Sequence, residues 1–187
     1  KSGNRIKIYD IITKKALDEY LPVDPITSKY LFFSELTNLY RYKDTICFFT
    51  SFTDTIFQIE KNRIFPRYIF DFGNHLIKKS VLYNNYSKVF EFGNKCIETS
   101  CIWDVNTILE TDNFVFFRYR FKEDFYYSFF NKRTNQLMSS KYFFDDLCLN
   151  HKAKAIELIT PIGSTNKSLL FRVEPYYFIK YINQLKN

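Results

Sequence analysis

Residues 38–73 read NLYRYKDTICFFTSFTDTIFQIEKNRIFPRYIFDFG and predict a small antiparallel sheet. Apolar and polar residues alternate along 54–60, which is the period of two expected of a half-buried strand. The pairs Lys43-Asp44 and Lys61-Asn62 are short polar turns, and Asn tolerates the positive φ angle that a tight hairpin requires. We therefore predict a four-stranded meander with strands at 39–42, 45–50, 54–60 and 63–72.

Strand pairs of the same kind recur along the chain. The order strand, polar turn, strand at 54–72 is repeated at 5–20 and 124–144, and another pair at 102–121 precedes the last copy. A repeated four-stranded unit is typical of a β-propeller blade, and propellers close with about 4–8 blades. We predict an all-β fold, a partial β-propeller of antiparallel four-stranded blades with about three blades present.

The predicted organisation is a single partial propeller domain over residues 1–187. The pattern breaks at 74–100, which indicates an insertion between blades that holds one short helix. After Pro175 the apolar spacing becomes that of a short C-terminal amphipathic helix. The approximate blades are 1–36, 37–73 and 101–146, with a C-terminal part-blade at 155–187. Further strands are expected at 136–144, 155–160 and 168–173, with 145–155 irregular and 26–36 a crossing segment.

The composition agrees with strands and limits the classes of partner. Aromatic residues make up 20% of the chain and favour strands. The net charge is +7, but Lys and Arg are scattered, which is typical of a solvated surface. Residues 114–121 resemble an RNA-binding strand but lack the Gly residues of that motif, so nucleic acid is not the expected partner. No run of about 18 apolar residues is present, so we predict no transmembrane segment.

Residues that carry catalysis or bind metals are few. His75 and His151 are far apart in sequence and no Cys lies in a C-x-x-C pair, so we predict no metal site and no cofactor. The common hydrolase, protease and nucleotide-binding motifs are absent, so we predict no catalytic residue. Cys96 and Cys101 are close enough in sequence to form a disulfide in an oxidising compartment. The alternative is that all four cysteines, Cys47, Cys96, Cys101 and Cys148, are free thiols.

Arginines beside aromatic residues are the candidate ligand-binding set. They are Arg41, Arg67, Arg118 and Arg120, and strand alternation puts the last two on one side of their strand. Arg binds carboxylates through two hydrogen bonds and aromatic faces stack on sugars, so the set suits an anionic glycan or peptide. The alternative is that these arginines form structural ion pairs between blades. Trp103 is a candidate sugar-stacking platform, with a place in the core as the alternative.

Several short segments within residues 38–73 resemble a known family. They are Asn38–Ile46, Thr53–Phe57, Ile64–Tyr68 and Phe70–Gly73, and together they resemble the six-bladed β-propeller family of Bacteroidales, which is distantly similar to NHL-repeat propellers. The resemblance covers most of the chain but only about the C-terminal half of a full family member. It implies a propeller fold and a place in the cell envelope, as a periplasmic protein or surface lipoprotein. The family has no established activity, so the resemblance implies no site residue.

The predicted function is a non-enzymatic binding or scaffold module that recognises a glycan, peptide or protein partner, because rigid blades present loops at a rim. One alternative is a carbohydrate-active lyase or hydrolase with a site at the propeller centre. Another is a truncated remnant without an independent function. Because an incomplete propeller exposes sheet faces and strand edges, we expect the remaining blades to come from missing chain or from a second copy.

Overall fold

The structure, a computed structural model, describes residues 4–28, 39–50, 52–145, 151–154, 159–173, 175–176 and 179. Three predicted features lie wholly or mostly outside these residues: the crossing segment at 29–36, Cys148 and the helix after Pro175. Of that helix, Pro175, Tyr176 and Ile179 are described, and they are helical. By chain contacts the protein divides into two compact units, Lys1–Asp104 and Val105–Asn187.

The first unit begins with a hairpin and continues with a four-stranded sheet. The hairpin is β1 (Asn4–Asp10) and β2 (Lys15–Pro22), followed by the one-turn helix α1 (Pro25–Ser28). The sheet has the order β3 (Leu39–Tyr42), β4 (Thr45–Phe49), β5 (Thr55–Glu60) and β6 (Arg63–Ile69), all antiparallel. The strands lie where the sequence predicts them, except that β6 ends before Phe70.

The turns of these hairpins use left-handed residues that are not glycine. Lys61 and Asn62 both have positive φ, at 46° and 62°, as a two-residue hairpin turn requires. The same conformation occurs at Lys14, Lys43 and Lys122, which lie in the turns of three other hairpins. The polar turn residues predicted from sequence are thus the turns of the structure.

The insertion between the sheets contains more helix than the sequence predicts. Instead of a loop with one short helix, it holds a 3-10 turn (Gly73–His75) and two α-helices, α2 (Lys79–Leu82) and α3 (Val89–Glu98). The prediction missed α2 because a single turn of helix has no periodicity to detect. One face of the helices closes over a buried cluster of Ile77, Val81, Leu82, Phe92, Cys96, Cys101 and Trp103.

The second four-stranded sheet is buried along its inner strands, whereas one edge strand is exposed. Its order is β7 (Ile102–Glu110), β8 (Phe114–Phe121), β9 (Asp124–Asn131) and β10 (Gln136–Ser140). Side chains alternate between faces along a strand, yet the consecutive residues Val115, Phe116 and Phe117 are all 0% exposed. Both faces of β8 are therefore covered at these three residues.

A buried ion pair links two neighbouring ends of the strands in this sheet. Lys132 Nζ lies 2.6 Å from Glu110 Oε1 and 2.5 Å from Thr111 O, so it links the end of β7 to the turn after β9. The Glu110 side chain is 0% exposed and that of Lys132 is 17% exposed. Thr111 Oγ1 also accepts a hydrogen bond from Phe114 N–H at 3.0 Å, which closes the β7–β8 turn.

The last strands differ from the prediction. The single strand expected at 136–144 is two strands, β10 and β11 (Tyr142–Asp145), because the chain turns at Lys141. Ser140 Oγ bridges this bend by accepting from Tyr142 N–H at 3.1 Å. β11 pairs instead with β12 (His151–Lys154), in the segment predicted to be irregular. A final hairpin is formed by β13 (Ile159–Ser164) and β14 (Leu169–Val173).

Candidate functional site

Two arginines lie over one aromatic ring on the β8–β9 hairpin. In the register of this hairpin Arg118 is opposite Tyr127 and Arg120 is opposite Phe125, so all four side chains are on one face. The guanidinium carbons lie 4.9 Å (Arg118) and 4.2 Å (Arg120) from the centre of the Phe125 ring, within the range of a cation–π interaction. Both arginines are partly exposed. This face therefore combines two cations with an aromatic surface.

The surroundings hold Arg118 in a defined orientation. Its Nε donates to Asn106 Oδ1 at 2.8 Å, and Asn106 is buried on β7. Arg118 also bonds to Tyr127, where burial raises the pKa of the phenol and the positive charge of Arg118 partly opposes that rise. Arg118 therefore links β7, β8 and β9 through these hydrogen bonds, and it also places a positive charge at the surface of the sheet.

The opposite face of the hairpin carries stacked tyrosines. The rings of Tyr119 and Tyr126 are parallel within 6° and their centres are 5.4 Å apart. Lys141 Nζ lies 5.4 Å from the centre of the Tyr126 ring and is paired with Asp124. The end of the hairpin therefore presents cations next to aromatic rings on both faces.

A mostly apolar groove lies in the second unit, where Phe114 and Phe129 are on the same strand face as Arg118 and Arg120. The first unit has a separate pocket of about 440 Å³ at the end of the β5–β6 hairpin, lined by Phe65 and by the charged residues Glu60, Lys61 and Arg63. In the second unit the groove measures about 330 Å³ and is lined by Thr111, Phe114, Phe129, Met138, Lys167 and Leu169. The volume and mostly apolar lining of this groove are typical of small-ligand sites.

The groove of the second unit could not be predicted from the sequence, because its walls come from separated strands. Phe129 and Met138 are directly opposite on β9 and β10, whereas Leu169 comes from β14. Nearby, the Phe116 ring packs edge-on against Phe171 of β14 at 5.7 Å. The alternation of apolar residues along β8 and β9 was the available signal, but only the position of the β13–β14 hairpin shows that a groove results.

The other two arginines of the candidate set lie in the first unit. Arg41 is exposed and closes its own turn, since its Nε donates to Lys43 O at 2.9 Å and it pairs with Asp44 at 3.2 Å. Arg67 donates to Gln58 Oε1 at 2.7 Å and lies 5.3 Å from the Tyr42 ring. Arg67 thus sits among aromatic residues as expected, whereas Arg41 serves its turn.

Trp103 does not lie at a surface where it could stack on a sugar. It is 3% exposed and its ring packs edge-on against Phe92, with centres 6.4 Å apart. The side chain contributes to the core that α3 covers. The position of Trp103 thus corrects its assignment as a ligand platform, because a buried ring offers no face to a ligand.

The remaining candidates for chemistry are a histidine and a cysteine pair. His75 is exposed and its Nδ1 lies 2.9 Å from Ser100 O. Cys47, Cys96 and Cys101 are buried free thiols. Within the described residues, no three His, Cys, Asp or Glu side chains are grouped closely enough to hold a metal ion. Across the same residues, none of the helices has the length and apolar character needed to cross a bilayer.

The chain is similar to known proteins in sequence and in structure. A family model described as a 6-bladed beta-propeller matches residues 1–159. Among solved structures, a predicted exported protein from Bacteroides fragilis is similar over 98% of this chain and 50% of that protein, with 14% sequence identity and a TM-score of 0.70. The chain thus spans about half the length of that protein, and at this identity the likeness shows the fold. No curated protein matches the chain. The predicted all-β partial propeller is confirmed.

Proposed function

The chain belongs to a family of 6-bladed β-propellers, and from this premise we propose that it is a non-enzymatic binding or scaffold module of the cell envelope. The inner strands of both four-stranded sheets contain buried side chains, and a packed scaffold of this kind holds its hairpin ends in fixed positions. Such ends suit recognition of a partner, since little ordering entropy is lost on binding.

The ligand class that fits best is an anionic glycan or an acidic peptide. The observation that carries this choice is the pair of partly exposed guanidinium groups over the Phe125 ring, at 4.9 and 4.2 Å. Guanidinium groups bind carboxylates with directed hydrogen bonds, and the aromatic surfaces next to them can stack on a sugar or a side chain. The apolar groove on the same sheet face adds a place for an uncharged part of the ligand.

The proposal is tested by titrating the chain with two anionic probes, oligogalacturonate and a glutamate-rich peptide, with calorimetry as the readout. We expect one of them to bind, and Arg120→Ala to weaken that binding about tenfold, as expected for loss of one charge-assisted hydrogen bond. Which probe binds decides between glycan and peptide.

The matched control is Arg133→Ala, which removes an exposed arginine in the β9–β10 turn of the same sheet. It has the same effect on net charge, so its binding should stay close to that of the unchanged chain. Equal losses in both variants would show attraction by net charge rather than a site, and no binding of either probe would contradict the proposed ligand class.

A location in the cell envelope is the second part of the proposal. It is supported by the family resemblance of residues 38–73 and by the description of the Bacteroides fragilis protein as exported. Fractionation of cells that express the complete reading frame tests it. We expect the protein in the periplasmic or membrane fraction, and recovery in the cytosol alone would contradict the assignment.

A further inference from the structure

The end of α3 is a Schellman motif built without glycine. Ser100 occupies the left-handed position after the helix, with φ of 50°. Its N–H donates to Ile97 O at 3.1 Å, and the N–H of Cys101 donates to Cys96 O at 3.1 Å. These two bonds define the motif, in which the residue after the left-handed position packs back against the last helical turn. The turn therefore brings Cys101 against Cys96.

The two thiols share one buried space. Cys96 is 0% exposed and Cys101 is 3% exposed, and both belong to the core cluster with Phe92 and Trp103. Cys101 Sγ lies 3.5 Å from Cys96 O and 3.5 Å from Thr99 Oγ1. A hydrogen bond from the Cys96 thiol lowers the pKa of Cys101, and the same bond together with burial raises the pKa of Cys96. Cys47 is not part of this cluster.

We propose that Cys96 and Cys101 are an oxidation site that forms an intramolecular disulfide and joins the end of α3 to the start of β7. Its co-reactant is a small or protein-borne disulfide. Two cysteines this close in sequence can bridge only where the backbone reverses sharply, and the Schellman turn provides that reversal. The chemistry rests on this geometry, whereas its occurrence in the cell rests on the envelope location proposed above.

The reaction is a thiol–disulfide exchange in two steps. The Cys101 thiolate, on the residue with the larger exposed fraction, attacks one sulfur of the oxidant, forming a mixed disulfide and releasing the first oxidant thiolate. Cys96 Sγ then loses its proton and attacks Cys101 Sγ, which forms the internal bond and releases the second thiolate. Two electrons pass from the cysteine pair to the oxidant, and the two protons from the cysteines end on the released thiols.

The test uses the whole chain and oxidised glutathione. The protein is oxidised both in its native state and during refolding from urea, where burial cannot block access, and then alkylated and digested with a protease that cleaves after Glu. Glu98 separates the two cysteines, so their peptides remain joined only through a disulfide. We expect joined peptides that reduction separates, and a Tm that falls by about 4 °C or more on reduction.

Variants make the result specific. Cys47→Ala should keep both the joined peptides and the fall in Tm, whereas Cys101→Ala should lose both. If Cys101→Ala does not fold, the double variant Cys96→Ala with Cys101→Ala replaces it, with the same expected result. Alkylation of both cysteines after oxidative refolding, or linkage of either one to Cys47 or Cys148, would overturn the proposal. The assay needs no ligand, so a negative result leaves the binding proposal untouched.

Discussion

At the scale of single residues, the described interior tolerates charge where a partner is supplied. Glu110 has no exposed side-chain surface, and Lys132 provides its counter-charge at 2.6 Å. A carboxylate buried without a partner costs several kcal/mol, since water no longer solvates it. This pair therefore has a much larger effect on stability when one member is removed than the exposed pairs of the same protein.

We predict that Lys132→Met destabilises the protein by about 3 kcal/mol, because it leaves the Glu110 carboxylate buried beside an apolar side chain. The measurement is the free energy of unfolding from urea titration. The matched control is Lys95→Met, which breaks the exposed pair of Lys95 with Glu98 and should cost less than about 1 kcal/mol. Similar losses in the two variants would contradict this account.

Single residues also differ in how far the sequence could predict their place in the candidate site. Strand alternation places Arg118 and Arg120 on one face, and the register agrees. The burial of Trp103 was open to either interpretation, since it depends on a tertiary contact with Phe92 of α3, which sequence periodicity does not show. The groove needs Leu169 of β14, which lies 31 residues beyond Met138 of β10 in the chain, so local pattern alone could not reveal it.

At the scale of elements, local turn chemistry predicts hairpins well and fails where pairing is decided at long range. The turns at Lys43 and Lys61 lie where polar pairs interrupt apolar runs, and the strands beside them match the prediction closely. The break at Lys141 was not predicted, because apolar residues resume directly after it. There β11 leaves the sheet and pairs with β12. The sequence of β11 alone does not indicate which strand it pairs with.

We predict that Lys61→Gly stabilises the protein by about 0.5–1 kcal/mol. Lys61 has φ of 46°, where an L-residue is strained and glycine is not. Arg63→Gly, at the exposed first position of β6, should instead destabilise by about 0.5–1 kcal/mol, because glycine in a strand only adds entropy to the unfolded chain. The free energy of unfolding of both variants checks the prediction, which fails if both substitutions shift stability in the same direction.

At the scale of the whole molecule, the question is how the propeller is completed. The family is six-bladed, and the described residues contain two four-stranded sheets together with three two-stranded ones. We propose that the remaining blades come from further chain or from a second copy. The exposed apolar side chains at the tip of the β1–β2 hairpin, Ile11 at 88% and Ile12 at 87%, are available for such a contact.

We predict that the chain alone self-associates, with a sedimentation coefficient that rises with concentration. The joint substitution of Ile11→Ser and Ile12→Ser should shift the distribution toward monomer by removing apolar contact area. The control Lys14→Ser changes the same turn without removing an apolar side chain, so it should leave association unchanged. A compact monomer at all concentrations would exclude the second copy.

The lysines in the left-handed turns have a consequence for degradation. Trypsin-like proteases cut after lysine, and Lys14, Lys43, Lys61 and Lys122 each stand at the tip of a hairpin, where they are exposed. Such enzymes hold their substrates extended, however, and a residue with φ near +50° within a closed turn does not have that shape. Each tip must open before it can be cut, so resistance to digestion at these lysines reports the opening free energy of each hairpin.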